Sequence, residues 1–100
     1  MNIRQAEKKD IGQIEKLAEE NGQKFENKVE NTFIAEADNK VIGYICYDPT
    51  MKEDKWLGKH YETSSLLVKE EYLGEGVVTK LIEHLTDAVK SNGVNLKLKH

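Results

Sequence analysis

The segment from Leu66 to Ser91 constrains the fold more than any other part of the chain. It begins with the apolar run Leu66 to Val68 and passes through a short turn that carries Gly74 and Gly76. An amphipathic stretch follows, whose apolar residues recur at helical spacing: Val77, Leu81, Ile82, Leu85, Ala88 and Val89. Because apolar runs without alternation are typical of strands covered on both faces, the segment predicts a buried strand followed by a helix that packs on the sheet.

The turn between that strand and that helix has the features of an anion site. Its glycines permit positive φ angles and a close approach of a ligand to the backbone. Consecutive N–H groups at the start of a helix attract phosphate. The Gly-Lys-Ser/Thr of a Walker A loop and the third glycine of a dinucleotide fingerprint are both missing. A glycine turn before a helix is also a common connection that binds no ligand, so the residues alone are compatible with either a phosphate site or a simple turn.

The first part of the chain predicts a strand and a helix. Met1 to Ala6 alternates as a strand. Asp10 is expected to cap the following helix with its side chain, with Gln13 as its capping-box partner. Asn21 and Gly22 tolerate the left-handed conformation that ends a helix. The helix follows the first strand along the chain, and its apolar residues Ile11, Ile14, Leu17 and Ala18 lie on one face.

The middle of the chain predicts a hairpin. Its strands are predicted at Thr32 to Ala37 and at Lys40 to Tyr47, and Asp38-Asn39 is predicted as the turn between them. Pro49 is expected to end the second strand, because proline cannot donate to a ladder. Thr50 to His60 then reads as a charged connection.

Two further strands complete the order. Tyr61 to Val68 predicts a third central strand, and Val94 to Leu98 predicts the last one after the helix. The expected fold is an α+β (α/β layered) domain with a mixed sheet flanked by helices, in the order β-α-β-β-β-α-β. The strand that ends at Val68 is expected to run parallel to the last strand.

Composition limits the class of protein. One hundred residues, 38% apolar and 33% charged, predict a single domain over residues 1–100. A net charge of -3 argues against nucleic-acid binding, and no apolar run reaches the length of a membrane span. The first five residues lack the apolar core of a signal peptide, and Cys46 is the only cysteine. We therefore expect a cytoplasmic protein with no nucleic-acid or membrane partner.

The chain resembles the Gcn5-related N-acetyltransferase (GNAT) family over nearly its whole length. Phe33 to Ala37 with Lys40 to Ile45 is similar to the central hairpin of that family, and Val68 to Leu81 is similar to its acetyl-CoA motif. The resemblance implies that the loop amides hold the pyrophosphate of acetyl-CoA and that the splayed end of the preceding strand receives the pantetheine arm. The cofactor-binding residues it implies are Leu66, Leu67, Val68, Leu73, Gly74, Glu75, Gly76, Val77, Val78 and Thr79.

Three loop positions depart from the family pattern. Leu73 stands where Arg or Gln is usual, Glu75 where a basic residue is frequent, and Val78 where Gly or Ala is expected. The charge of Glu75 and the bulk of Val78 are each expected to weaken phosphate binding by about 1 kcal/mol. The usual C-terminal helix and strand pair also have no counterpart before His100. The alternatives are a compact variant, a shortened piece of a longer chain, or a second subunit that supplies the missing surface.

Acetyl transfer to an amine needs a base, an oxyanion donor and an acid. Glu62 is the expected catalytic base, because it lies six positions before Val68, as the base does in the histone-acetylating branch of the family. The alternative is a solvated strand residue. A backbone N–H near Leu67 or Val68 is the expected oxyanion donor. No spacing of Cys, His or carboxylates predicts a metal site.

Other chemically capable residues have simpler interpretations. Tyr72 is expected to pack against the core, and Cys46 to pack as a small apolar residue in its strand. His60 precedes the predicted third strand without an evident partner. Trp56 in the charged connection is expected either to cover the core or to line a substrate groove or subunit contact.

The sequence therefore predicts an N-acetyltransferase that moves an acetyl group from acetyl-CoA to a primary amine of a small molecule or protein. The alternative is a degenerate module that binds CoA or a protein partner without catalysis. A homodimer is also expected, because the last strand would leave an apolar edge exposed.

Overall fold

Five strands form a mixed sheet in the computed structural model, which describes residues 1–99. The strands are β1 (Asn2–Gln5), β2 (Thr32–Ala37), β3 (Lys40–Asp54), β4 (Gly58–Val68) and β5 (Asn95–Lys97). The helices are α1 (Ile11–Glu20) and α2 (Val77–Lys90), with short 3-10 turns at Lys8–Asp10, Val29–Asn31 and Glu70–Tyr72. Strands β1 to β4 pair antiparallel in sequence order, and β5 pairs parallel to β4. The predicted element order and the mixed sheet flanked by helices are confirmed.

The two helices cover opposite faces of the sheet. Neighbouring residues of one strand point to opposite faces, and Ile34 belongs to the cluster under α1 whereas Ala35 belongs to the cluster under α2. The predicted stripe of α2 is buried at Leu81, Leu85 and Val89. The cluster under α1 contains Ala6, Ile14, Leu17, Ala18, Ile34, Val41, Tyr44 and Cys46. The helical periodicity of the sequence thus predicted both buried faces.

The sequence interpretation of Pro49 was wrong. Strand β3 continues through Pro49 to Asp54, and β4 begins at Gly58, so the predicted connection from Thr50 to His60 is mostly strand. The register explains why proline is tolerated. Asp48 pairs with Glu62 and Lys52 pairs with His60, so three residues of β3 oppose a single residue of β4. Proline needs no ladder partner inside such a bulge.

The predicted side-chain cap by Asp10 was also wrong. The Asp10 carboxylate makes no cap hydrogen bond to α1 and instead accepts from the Arg4 guanidinium at 2.9 and 3.0 Å and from the Glu7 backbone N–H at 2.8 Å. Arg4 also donates to Glu36 at 3.1 Å. The Gln13 side chain accepts from the Val41 N–H at 2.9 Å rather than capping the helix. A long-range charge network thus ties β1 to β2 and to the start of α1.

Strands β4 and β5 pair over a short length and then separate. Only three residue pairs join them, from His60 with Asn95 to Glu62 with Lys97. Beyond that point the Lys99 N–H donates to the Thr63 hydroxyl at 2.9 Å. The predicted parallel pairing is confirmed, but the last strand is shorter than Val94 to Leu98. Within residues 1–99, neither helix combines the length and apolar character that a membrane crossing requires.

Removal of the Asp10 carboxylate should destabilise the fold. Asp10 is 2% exposed, so Asp10→Ala removes the carboxylate that binds Arg4 through two nitrogens and leaves an unfilled buried site. We expect a loss of about 2–3 kcal/mol in the free energy of unfolding, measured by urea denaturation. Glu7→Ala is the matched control, because that carboxylate lies 3.6 Å from Arg4 with its side chain 61% exposed, and should cost less than about 0.5 kcal/mol. Equal losses in the two variants would contradict the network.

The same carboxylate predicts a pH dependence. Hydrogen bonds from Arg4 lower the pKa of Asp10 below its ordinary 3.8, so the unfolded chain binds the proton more readily than the folded one. The stability advantage of the native protein over Asp10→Asn should be constant above about pH 5 and should shrink as the pH falls below 3.8. An advantage that grows on acidification would overturn this account.

Candidate active site

The turn before α2 presents a set of unpaired backbone donors. Gly74 and Gly76 have φ angles of 88° and 79°, a region that side chains with a Cβ rarely adopt. The first hydrogen bond of the helix runs from the Lys80 N–H to the Gly76 carbonyl at 3.0 Å. Five amides of the turn have no acceptor within residues 1–99: Gly74, Gly76, Val77, Val78 and Thr79. The turn therefore has the donor chemistry of an anion site.

The side chains of this loop differ in their exposure. Val77 is 2% exposed and fixes the first turn of α2 to the core, so the neighbouring amides are held in place. Leu73 and Val78 are 56% and 36% exposed, and Glu75 and Thr79 also face solvent. The Glu75 N–H already bonds to the Tyr72 carbonyl at 3.3 Å. Of the predicted loop residues, the glycines and the first turn of α2 supply the free donors, whereas Leu73 and Glu75 do not.

The end of β4 offers a second row of backbone groups. The Lys69 N–H bonds to the Ile42 carbonyl of β3, so by ladder alternation the N–H groups of Leu66 and Val68 point away from β3. On that side β5 pairs with β4 only as far as Glu62. The edge from Leu66 to Val68 is therefore open. The alternation directs the Leu67 N–H to β3, which leaves Val68 as the donor of the two expected for an oxyanion.

The separation of β4 and β5 creates a groove beside that open edge. Its volume is about 420 Å³. The lining residues come from β4, α2, the segment after α1 and the segment after β5: Gln23, Thr63, Ser64, Ser65, Leu66, Ile82, Leu98 and Lys99. Half-buried apolar side chains from Leu66 and Ile82 form part of its wall. The groove thus runs along the strand that leads to the glycine turn.

A smaller pocket of about 280 Å³ adjoins the groove and shares Thr63, Ser64 and Lys99 with it. Two carboxylates, Asp48 and Glu62, line this pocket from adjacent strands. At about 3.3 Å per residue, Glu62 lies about 20 Å along β4 from Val68. The predicted base is therefore separated from the predicted phosphate loop but lies beside the groove that leads toward it.

Glu62 is paired with a cation. The Lys52 ammonium donates to Glu62 Oε1 at 2.5 Å, and the Glu62 side chain is 17% exposed. This hydrogen bond lowers the pKa of Glu62. A backbone hydrogen bond from Thr50 likewise lowers the pKa of Asp48. Both carboxylates are therefore charged at neutral pH, which suits the binding of a cation.

The other candidates are explained by packing. Cys46 is fully buried, and burial raises the pKa of its thiol to about 11, which disfavours a thiolate nucleophile. Tyr72 is half-buried against the core as expected. His60 lies inside β4 and is 3% exposed, with its Nδ1 3.0 Å from the Gly58 carbonyl. Trp56 does not cover the core, because it is 95% exposed at the tip of the β3–β4 hairpin.

Sequence reasoning missed two charged residues of this region. Asp48 and Lys52 were placed outside the sheet because Pro49 was taken to end β3. Apolar and polar residues alternate only weakly after Pro49, so the sequence contains little sign of a strand there. The bulge that accommodates Pro49 is defined by pairing with β4. No group of metal-ligating side chains occurs within residues 1–99.

Comparisons with known proteins give one family match and several structural matches. A model of the acetyltransferase (GNAT) family matches residues 1–99. A search of curated protein sequences finds no match. Solved structures similar to this chain include a ribosomal-protein-alanine N-acetyltransferase from Brucella melitensis biovar Abortus 2308, with 15% identity and a TM-score of 0.77. That alignment covers 100% of this chain and 80% of the other.

Two further structures share the fold. An acetyltransferase from Vibrio fischeri is 20% identical with a TM-score of 0.71, over 98% of this chain and 96% of that one. The N-acetylglutamate synthase from Neisseria gonorrhoeae, solved with coenzyme A and N-acetyl-glutamate, is 24% identical with a TM-score of 0.77. It is matched over 93% of this chain and 23% of its own length. At these identities the likeness concerns the fold.

Proposed function

Because the chain belongs to the GNAT family of acetyltransferases, we propose that it moves an acetyl group from acetyl-CoA to a primary amine. The observation that carries this proposal is the arrangement on β4. Its open edge from Leu66 to Val68 leads to the unpaired amides of the glycine turn, and its other end carries Glu62 beside the groove. The glycine turn, the groove and the charged pocket therefore follow one another along β4.

The amides from Gly74 to Thr79 would hold the pyrophosphate of acetyl-CoA. Five unpaired donors and the positive end of α2 favour a dianionic group there. Side-chain changes at Leu73 and Val78 leave these backbone donors in place. The carboxylate of Glu75 opposes the ligand charge, but it is exposed to solvent, where screening weakens its effect.

The open edge of β4 would hold the pantetheine arm. The arm contains amide groups. Their carbonyl oxygens can accept hydrogen bonds from the free N–H groups of Leu66 and Val68, as the carbonyls of a neighbouring strand would. The groove of about 420 Å³ gives the arm a place between β4 and the segment after β5. An arm that starts at the glycine turn and follows this edge brings the thioester toward Ser64 and Glu62.

The acceptor ammonium would bind between Asp48 and Glu62, which are the carboxylates of the smaller pocket. We propose that Glu62 takes up the proton that the ammonium must lose before its nitrogen attacks the thioester. The non-catalytic alternative is not favoured, because the family model matches residues 1–99 and the groove and carboxylates adjoin one another.

A homodimer through the β5 edge is part of this proposal. In the part of the chain that the structure describes, β5 is one of the two edge strands of the sheet, and Leu98 beside it is 44% exposed. Pairing of two such edges would cover both. A cytoplasmic location is proposed as well, since the buried thiol of Cys46 is suited to a reducing compartment.

Acetyl-CoA should stabilise the fold if the turn binds its pyrophosphate. At a hundredfold excess over Kd the gain is about 2.7 kcal/mol, which raises Tm by roughly 10 °C in a domain of this size. Gly76→Val should remove the shift, because valine at a φ of 79° strains the turn and crowds the phosphate.

The control for that experiment is Gly93→Val. Gly93 has a φ of 73° at the opposite end of α2, and no atom lies within 4 Å of an added Cβ at either glycine. Both variants should lose about 1–2 kcal/mol of stability, but only Gly76→Val should lose the response to acetyl-CoA. Absence of any shift with the native protein at millimolar acetyl-CoA would refute cofactor binding.

Replacement of the proposed base should slow turnover without preventing cofactor binding. In Glu62→Gln we expect the thermal shift with acetyl-CoA to persist, while CoA release with a polyamine or peptide amine falls about 10²-fold or more. Glu53→Gln on the same hairpin is the control, because its carboxylate is exposed and does not line the pocket. Equal activity in both variants and the native protein would rule out Glu62.

Light scattering tests the proposed dimer. At micromolar concentration we expect twice the chain mass of 11.4 kDa. Leu98→Pro should shift the mass toward the monomer, because the Lys99 N–H turns to Thr63 and by alternation the Leu98 N–H faces the free edge that proline would leave without a donor. A mass of one chain for the native protein at that concentration would exclude the dimer.

A further inference from the structure

A primary amine of the chain itself already lies against the proposed base. Lys52 Nζ is 2.5 Å from Glu62 Oε1. Lys52 comes from β3, on the far side of the bulge at Pro49, and lies opposite His60 in the register. Its side chain therefore extends back along the ladder to reach Glu62. An alkylammonium group is thus paired with Glu62, one of the two carboxylates of the pocket in which the acceptor is expected to bind.

The position of this amine suits the direction of acetyl delivery. The pocket that Glu62 lines shares Thr63 and Ser64 with the groove beside β4. On the proposed function, the thioester comes toward Ser64 through that groove. Lys52 also retains a 44% exposed side chain, so its ammonium can turn toward the pocket without disrupting the core.

We propose that Lys52 is a site of self-acetylation, in which the chain transfers an acetyl group from its own bound acetyl-CoA to the Lys52 side chain. This inference rests on the proposed acetyltransferase function and deepens it. It assigns the alkylammonium of a lysine side chain as the acceptor chemistry that the pocket accommodates.

The step balances without any further reactant. Glu62 removes one proton from the Lys52 ammonium, and the neutral Nζ attacks the carbonyl carbon of the thioester. The new C–N bond forms as the C–S bond breaks, and the sulfur leaves with the bonding electron pair. The nitrogen gives up its second proton, and protonation of the thiolate gives free CoA and an N-acetyl-lysine at position 52. Placement of both reactants in one chain favours the reaction entropically.

Other lysines of the region are not hydrogen-bonded to Glu62. Lys97 Nζ is 4.0 Å from Asp54, and Lys99 lines the pocket but meets Thr63 through its backbone N–H. Lys55 and Lys59 are exposed on the same hairpin, and neither forms a salt bridge within residues 1–99. They therefore serve as internal controls for chemical acetylation of exposed amines.

The experiment incubates the native protein with isotopically labelled acetyl-CoA at neutral pH and follows label at each lysine by peptide mass spectrometry. We expect Lys52 to gain label at least about tenfold faster than Lys55 and Lys59. The initial rate per chain should not depend on protein concentration. Glu62→Gln should slow labelling of Lys52 about 10²-fold, with folding confirmed by its thermal shift with acetyl-CoA. In Lys52→Arg one labelled site per chain should disappear.

Three results would overturn the inference: labelling of Lys52 no faster than that of Lys55 and Lys59, a rate per chain that rises with protein concentration, or a Glu62→Gln variant that labels at the native rate. The proposed function fails separately. If acetyl-CoA shifts Tm and an added amine is acetylated while Lys52 stays unlabelled, only self-acetylation is excluded. If acetyl-CoA produces no shift, both proposals fall together.

Discussion

The limited pairing of β4 and β5 is the constraint on which the candidate site depends. The chain leaves β4 at Val68 and returns through α2 to pair with the beginning of β4, at His60 to Glu62. The apolar stripe of α2 must stay on the sheet, since Leu81 and Leu85 are fully buried. Beyond Glu62 the two strands therefore separate, and the Thr63 hydroxyl takes the place of a ladder acceptor for Lys99. The separation leaves backbone donors of β4 unpaired beside a groove.

Two groups of ion pairs in the same sheet differ in how much they contribute to stability. Arg4 joins Asp10 and Glu36 in a site where the aspartate is almost fully buried, so loss of one partner leaves a desolvated charge. Lys52 meets Glu62 at the surface, where exposed ion pairs contribute little to stability. The first pair is therefore structural, whereas the second can be exchanged for another ammonium at small cost to the fold.

Local patterns predicted the elements, and long-range pairing decided what they missed. The stripe of α2, the turn at Asp38-Asn39 and the parallel last strand followed from periodicity and turn chemistry, which act over a few residues. The extension of β3 through Pro49 depends on a bulge that only pairing with β4 defines. Asp10 likewise looked like a cap because its partner, Arg4, comes from a separate element. The loop residues from Leu73 to Thr79 are neighbours in sequence, so a single motif indicated all of them. The carboxylates of the pocket come from two strands, so only the pairing of β3 with β4 shows that they are close.

The electrostatics of the pocket define what an acceptor must do in the proposed reaction. While Lys52 donates to Glu62, the pKa of that carboxylate stays low and it is a weak proton acceptor. An acceptor ammonium that replaces Lys52 meets the same charge, so its binding is favoured but its deprotonation is not. The proton must therefore leave as the nitrogen approaches the thioester, where loss of water disfavours the charged forms of both groups and so brings their pKa values closer. A neutral amide could donate a hydrogen bond but would gain no charge attraction from either carboxylate, so the proposed arrangement favours a cationic primary amine as the acceptor.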